Sequence, residues 1–253
     1  MQSALLHHTA ATGADVFTLQ NDHMLRVALD GHREVLARSG SMVAFQGRAT
    51  FTEVGRDEQE VRQLLQQQTP RQYVGPGQYQ GHGQFSGQAR MQQHAAGAQG
   101  LLMSCTGTGT VFLANLAQHL HVLTLQQGER LTLSSAYLLA MEHSVRWRTV
   151  NIEGGERIAG VGNWCLELTG PGQVVLMTSG RPLALPVGPQ QYASADADAV
   201  VAWSSALDVQ LQSQSSNTQA LRRHGTATEG WELSFQGTGQ VVIQPSELPS
   251  PKV

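Results

Sequence analysis

Lysine is almost missing from this chain: Lys252 stands alone beside 15 Arg and 29 Gln in 253 residues. Charged residues of all kinds make up 14%, against about 25% in ordinary soluble domains. Lys+Arg 16 against Asp+Glu 19 leaves a net charge of −3, which argues against binding nucleic acid or an anionic membrane by bulk positive charge. Two cysteines, Cys105 and Cys165, cannot build a disulfide framework, and neither sits in a C-x-x-C pair, so buried thiols are expected. No window approaches 18 consecutive apolar residues, which excludes a membrane-spanning helix. From Met1 to Val16 there is no basic start, no apolar run longer than Ala4 to Leu6, and the first Arg is Arg26. Neither a secretory nor a mitochondrial leader is read there, and a cytoplasmic location is expected.

What the chain does have is short apolar or alternating runs punctuated by Gly, Pro and Ser. They include Leu25–Leu29, Thr110–Leu113, His121–Leu125, Leu131–Leu133, Leu166–Leu168, Val174–Met177, Val209–Leu211 and Val241–Ile243. This pattern predicts an all-β protein rich in turns. Helical spacing occurs over Glu58–Gln68, with Val61, Leu64 and Leu65 on one face, and more weakly over Ala89–Ala98.

Two patterns each occur three times. Gly-x-Gly-x-Val starts at Gly107, Gly170 and Gly237, at intervals of 63 and 67 residues. In the second, an apolar residue and a turn Gly lead to an Ala: Leu29…Gly31…Ala44, Leu125…Gly128…Ala140 and Leu185…Gly188…Ala202. Seven residues beyond each Ala stands Phe51, Trp147 or Val209, each able to fill a core. The patterns are out of phase: Gly237 has little chain after it, and Ala44 has no Gly-x-Gly ahead of it. The expectation is therefore three related β-sandwich units in a pseudo-threefold arrangement. The N-terminal unit (1–57) is completed by residues 230–247, within a closing strand and tail at 230–253. A Gln/Gly-rich insertion with a short helix (58–99) precedes a second unit (100–163) and a third (164–229).

Val35–Val43, Tyr137–Glu142 and Gly230–Glu247, in that order and spacing, resemble the bacterial members of the altered-inheritance-of-mitochondria protein 24 family. The likeness runs from about Asp22 to Glu247 and is weakest over 58–99. It implies tandem β-sandwich units like those of the tryptophan RNA-binding attenuation protein. It carries over no enzymatic activity and no catalytic residues. A eukaryotic member is linked to organisation of the mitochondrial inner membrane, which makes a membrane-associated scaffold role an implication of the likeness.

Chemistry is sparse in the residues themselves. No helix pattern follows any Gly-x-Gly, so turn glycines rather than a phosphate loop are expected. His119-Leu-His121 is the metal candidate: residues i and i+2 of a strand share a face, and two imidazoles can converge on one ion. A cupin would supply a carboxylate a few residues later, where this chain has Gln126, and only His143 or Glu142 offers a third ligand. Asp196 and Asp198 have too few oxygens for a calcium loop, and Ser39-Gly-Ser41 is no nucleophile elbow. Arg146-Trp147-Arg148 and Arg222-Arg223 are small basic spots, and Trp147 falls at the apolar position of the pattern. The reading is a non-enzymatic scaffold or interaction protein without a cofactor, with protein partners or self-association and no nucleic acid. Weak membrane contact through Tyr73, Tyr79 and Phe85 is a further option. The alternative is a small-molecule or metal-binding, cupin-like β-sandwich using His119 and His121.

Overall fold

The computed structural model describes residues 9–13, 15–54, 102–152, 164–213 and 231–245. Apart from one 3-10 turn at Ser135–Tyr137, the regular elements among them are all β-strands. β1 (Phe17–Asn21), β2 (Met24–Asp30), β3 (Val35–Arg38), β4 (Met42–Glu53) and β5 (Leu102–Leu113) form a first set. The second set is β6 (His119–Leu125), β7 (Arg130–Ser134), β8 (Leu138–Glu142), β9 (Arg146–Asn151), β10 (Trp164–Thr169) and β11 (Gly172–Thr178). The third is β12 (Leu183–Val187), β13 (Ala193–Asp196), β14 (Val200–Ser204), β15 (Asp208–Ser213), β16 (Trp231–Gln236) and β17 (Gly239–Ile243). Each apolar run named above lies on one of these strands. In β2, Leu25, Val27 and Leu29 are buried and alternate with Met24, Arg26 and Ala28, as one inward face requires.

The sets share one pairing order. In the second, β11 lies between β6 and β8 while β10 lies between β7 and β9. In the third, β17 lies between β12 and β14 while β16 lies between β13 and β15. In the first, the long β5 takes both roles. Its C-terminal half lies between β2 and the start of β4, and its N-terminal half lies between β3 and the rest of β4. Registers agree residue for residue: Val111 faces Phe45, Val174 faces Met141, and Val241 faces Trp203. The register also slips at corresponding places, between Met42 and Ala44, Leu138 and Ala140, and Val200 and Ala202.

Two further ladders join the sets. Val35, Leu36 and Ala37 of β3 face Glu142, Met141 and Ala140 of β8. Leu131, Thr132 and Leu133 of β7 face Ser204, Trp203 and Ala202 of β14. The first sheet therefore runs β1-β2-β5-β3-β8-β11-β6, with β4 on the other edge of β5. It curls back until the Leu120 N–H donates to the Asp22 carbonyl at 2.8 Å, which makes it a nearly closed barrel. A six-stranded sheet, β12-β17-β14-β7-β10-β9, and a three-stranded one, β13-β16-β15, complete the fold.

This topology corrects one expectation. The C-terminal strand β17 pairs with β12 and β14 and makes no ladder to residues 25–51. The first set is completed by β5, and the 164–178 hairpin belongs with β6–β9 rather than with the chain after it. Each Gly-x-Gly strand closes back on the strands before it, so Ala44 is followed by Gly107 and Ala202 by Gly237, and the phase mismatch disappears. The expected insertion and its short helix, residues 58–99, lie outside the described residues.

Three apolar cores fill the interior. The first, around Leu25, Val27, Val111 and Leu113, also takes Leu139 and Ala140 of β8 and Val175 of β11. The second, around Leu133, Leu138 and Leu166, takes Leu36 from the first set and Val201 and Ala202 from the third. Tyr137 is fully buried there. Its hydroxyl donates to the Asp198 carbonyl at 3.0 Å and accepts from the side-chain amide of Gln244 at 3.1 Å. The same Gln244 carbonyl accepts from the Ser179 N–H at 2.9 Å, so one buried polar chain fastens second set to third. The third core gathers Val187, Trp203, Leu233, Phe235 and Val241.

Candidate interaction edge and histidine cluster

The Gly-x-Gly runs have a structural reason that involves no ligand. Gly107 and Gly109 lie inside β5 with φ of +130° and +129°, facing β4. A Cβ on them would strike the backbone carbonyls of Arg48 and Gln46, so the two strands approach as closely as they do only because both positions are bare. Among the described residues, no helix follows any of the three motifs.

His119 and His121 lie on one face of β6, as the spacing predicts. The His23 ring packs on His119 with centroids 4.4 Å apart. His121 Nε2 lies 2.8 Å from Thr178 Oγ1, whose hydroxyl donates to the Gly180 carbonyl at 2.6 Å. With that single hydrogen committed, the imidazole is the donor to Thr178, and only Nδ1 keeps a lone pair. Burial, then the neighbouring His119, pushes His121 below the usual imidazole range, and the Asp22 carboxylate opposes both. Among the described residues no three His, Cys, Asp or Glu side chains are placed to hold a metal ion. Of the expected third ligands, Glu142 accepts from the Gln173 N–H at 2.7 Å, and His143 Nδ1 lies 3.4 Å from Glu34 Oε2.

The remaining candidates have structural partners. Arg148 Nε donates to Glu167 Oε1 at 2.9 Å, and Trp147 packs against the second core. Asp196 Oδ1 accepts from the Asp198 N–H at 2.9 Å, an Asx turn. Ser41 Oγ donates to the Arg38 carbonyl at 2.7 Å. Burial pushes the Cys105 and Cys165 thiols up to about 12, leaving them protonated and unreactive near neutrality. Tyr73, Tyr79, Phe85, Arg222 and Arg223 lie outside the described residues.

A feature that sequence reasoning missed is a bare edge. Among the described residues, the outer half of β4 pairs only with β5, and Met42, Val43 and Phe45 are 38%, 55% and 49% exposed. The residues in matching register are buried in both other sets: Leu138, Leu139 and Met141 in β8, and Val200, Val201 and Trp203 in β14. In the third set, β13 pairs only with β16 among the described residues, and beside it Tyr192 is 76% exposed. The signal was available: Met42-Val43-Ala44-Phe45 has the apolar character of Leu138–Met141, but without a known neighbour it reads as core.

Together, the fold and its edges define an all-β protein of ladder-joined antiparallel strand sets, with an apolar strand edge that no described residue covers. A family profile described as mitochondrial biogenesis AIM24 matches residues 17–246, and the chain belongs to that family. A crystal structure of protein SPYM3_0169 from Streptococcus pyogenes is similar in fold, with a TM-score of 0.62 at 18% identity over 92% of this chain and 93% of that one. No curated protein sequence matches the chain. No helix of the described residues is long and apolar enough to cross a membrane.

Proposed function

We propose that the protein is a non-enzymatic scaffold, built from three copies of one β-unit and working through protein–protein contact. The observation that carries this reading is the apolar edge at Met42, Val43 and Phe45. Exposed apolar strand edges template association, and proteins that do not use them cover or charge them. This edge carries no charge from Met42 to Gln46. The metal-binding alternative draws less support, because His121 gives one nitrogen to Thr178 and no third ligand stands beside the pair among the described residues.

Sedimentation velocity of the fluorescently labelled full chain, in buffer and in host extract, tests the reading. Species larger than the monomer are expected and should disappear in Phe45→Lys. A monomer in both media at every concentration contradicts it.

A further inference from the structure

We propose that the outer half of β4 is the docking edge for β13 of a second copy of this chain. The inference rests on the interaction reading above and specifies its partner and register. The two ladders that already join the sets supply the template. With β1 set aside, since it has no counterpart in the other sets, each places the second strand of one set, β3 or β7, on the third strand of the next, β8 or β14. Their registers coincide: Ala37 faces Ala140 as Leu133 faces Ala202, and Leu36 faces Met141 as Thr132 faces Trp203. Even the flanking hydrogen bond repeats, with the His143 N–H donating to the Glu34 carbonyl and the Ser205 N–H to the Arg130 carbonyl, both at 3.3 Å.

Three sets joined head to tail leave one third-strand edge and one second-strand edge over. These are the start of β4 and β13, the two edges that carry Met42, Val43, Phe45 and Tyr192. They make no ladder with each other within the chain. Extending the template across two copies sets Ala44 opposite Ala195, Phe45 opposite Ser194 and Gln46 opposite Ala193. The Gly47 N–H then donates to the Tyr192 carbonyl.

The cores point the same way. The first is roofed by Leu139, Ala140 and Val175 of the next set, and the second by Val201, Ala202 and Val242. By register, the corresponding roof for the third core is Val43, Ala44 and Phe112, and none of these lies on the third core of its own chain. A second copy would bring its β4 to that place. Because the two edges differ, the contact is head-to-tail and propagates into a ring or an open row of chains.

Lysine on an edge strand blocks pairing, and neither Phe45 nor Ser194 belongs to one of the three cores, although the Phe45 ring meets Phe51 edge-on with centroids 6.2 Å apart. Phe45 is half exposed, and Ser194 is exposed with its hydroxyl on Glu232 Oε2 at 2.9 Å, a carboxylate that can receive the lysine. Full-length Phe45→Lys and Ser194→Lys proteins are each expected to sediment as monomers. Mixed in equal amounts they should form a discrete one-to-one dimer, since each keeps the edge that the other has lost. A wild-type protein that stays monomeric in buffer at every concentration overturns the inference, and one that stays monomeric in host extract as well overturns the interaction reading with it. Association that Phe45→Lys abolishes and Ser194→Lys leaves intact overturns the inference alone, as does a mixture that yields no dimer.

Discussion

Strand β8 and the outer half of β4 share a register against their inner neighbour, a bulge before an alanine, and apolar residues on either side of it. One is buried on both flanks and the other is half exposed. The difference comes entirely from what lies beside each strand: β3 covers β8, and nothing among the described residues covers β4. Burial here is therefore a property of the junction between sets, not of the set. An apolar strand can be complete within its own unit and still lack the neighbour for which its composition suits it.

The strongest way to break the comparison is to detach β4 altogether. Gly109→Ala adds both backbone strain and a collision with the Gln46 carbonyl, and is expected to cost roughly 2–6 kcal/mol in urea denaturation. Gly237→Ala, whose new Cβ would find its nearest neighbour at 3.6 Å, should cost only the strain of about 1–3 kcal/mol.

Matched truncations sharpen the comparison directly. Met141→Ala in the covered strand should lose about 2–5 kcal/mol. Phe45→Ala at the corresponding bare position should lose about 0.5–1 kcal/mol when measured on the dilute monomer. Equal losses would mean that β4 is covered after all.

Just before β8, the Tyr137 side chain reaches across to the third set, whereas the Ser41 side chain just before β4 bonds to its own turn at Arg38. Tyr137→Phe leaves the Asp198 carbonyl and the Gln244 amide without that hydroxyl and should cost about 1–3 kcal/mol. Ser41→Ala should cost about 0.5–1.5 kcal/mol, one local hydrogen bond.

The smallest effect is expected at the barrel seam. His121 is held below its unfolded value of about 6.5, so the unfolded chain takes up its proton first as the medium acidifies. The stability contributed by neutral His121 is complete above about pH 6.5 and is lost as pH falls through that value toward the folded one. A urea midpoint that declines over this range in the wild type and declines less in His121→Gln is the expected outcome.

Much of the unit was legible in the sequence because close backbone packing writes itself into residue type. Ala44, Ala140 and Ala202 do align by register, as do Phe51, Trp147 and Val209, each opposite an inward residue at Cys105, Leu168 or Phe235. The apolar residues that lead the second pattern do not all align by register. Leu29 and Leu125 face Gly109 and Gly172, but Gly239 faces Val187, two residues beyond Leu185. A two-residue slip keeps the same face of the strand, so alternation alone cannot detect it. Which strands pair was less legible, because ladder hydrogen bonds are made by backbone and leave no mark on composition. That is why composition alone does not show that β17 pairs with β12 and β14 rather than with the N-terminal strands. At the histidines, spacing fixed the shared face but gave no sign of Thr178, which arrives from β11.

Amide hydrogen exchange at Phe45 and Gly47 tests the central claim most directly. Because the His143 N–H points at β3, strand alternation turns the Met141 N–H the same way, and the matching amides of Phe45 and Gly47 face the side of β4 that no described strand covers. Met141 and His143 should be protected at every protein concentration. Phe45 and Gly47 should exchange freely in dilute protein and become protected as concentration rises. Protection of Phe45 and Gly47 in the dilute monomer, or free exchange at all concentrations, would contradict the account.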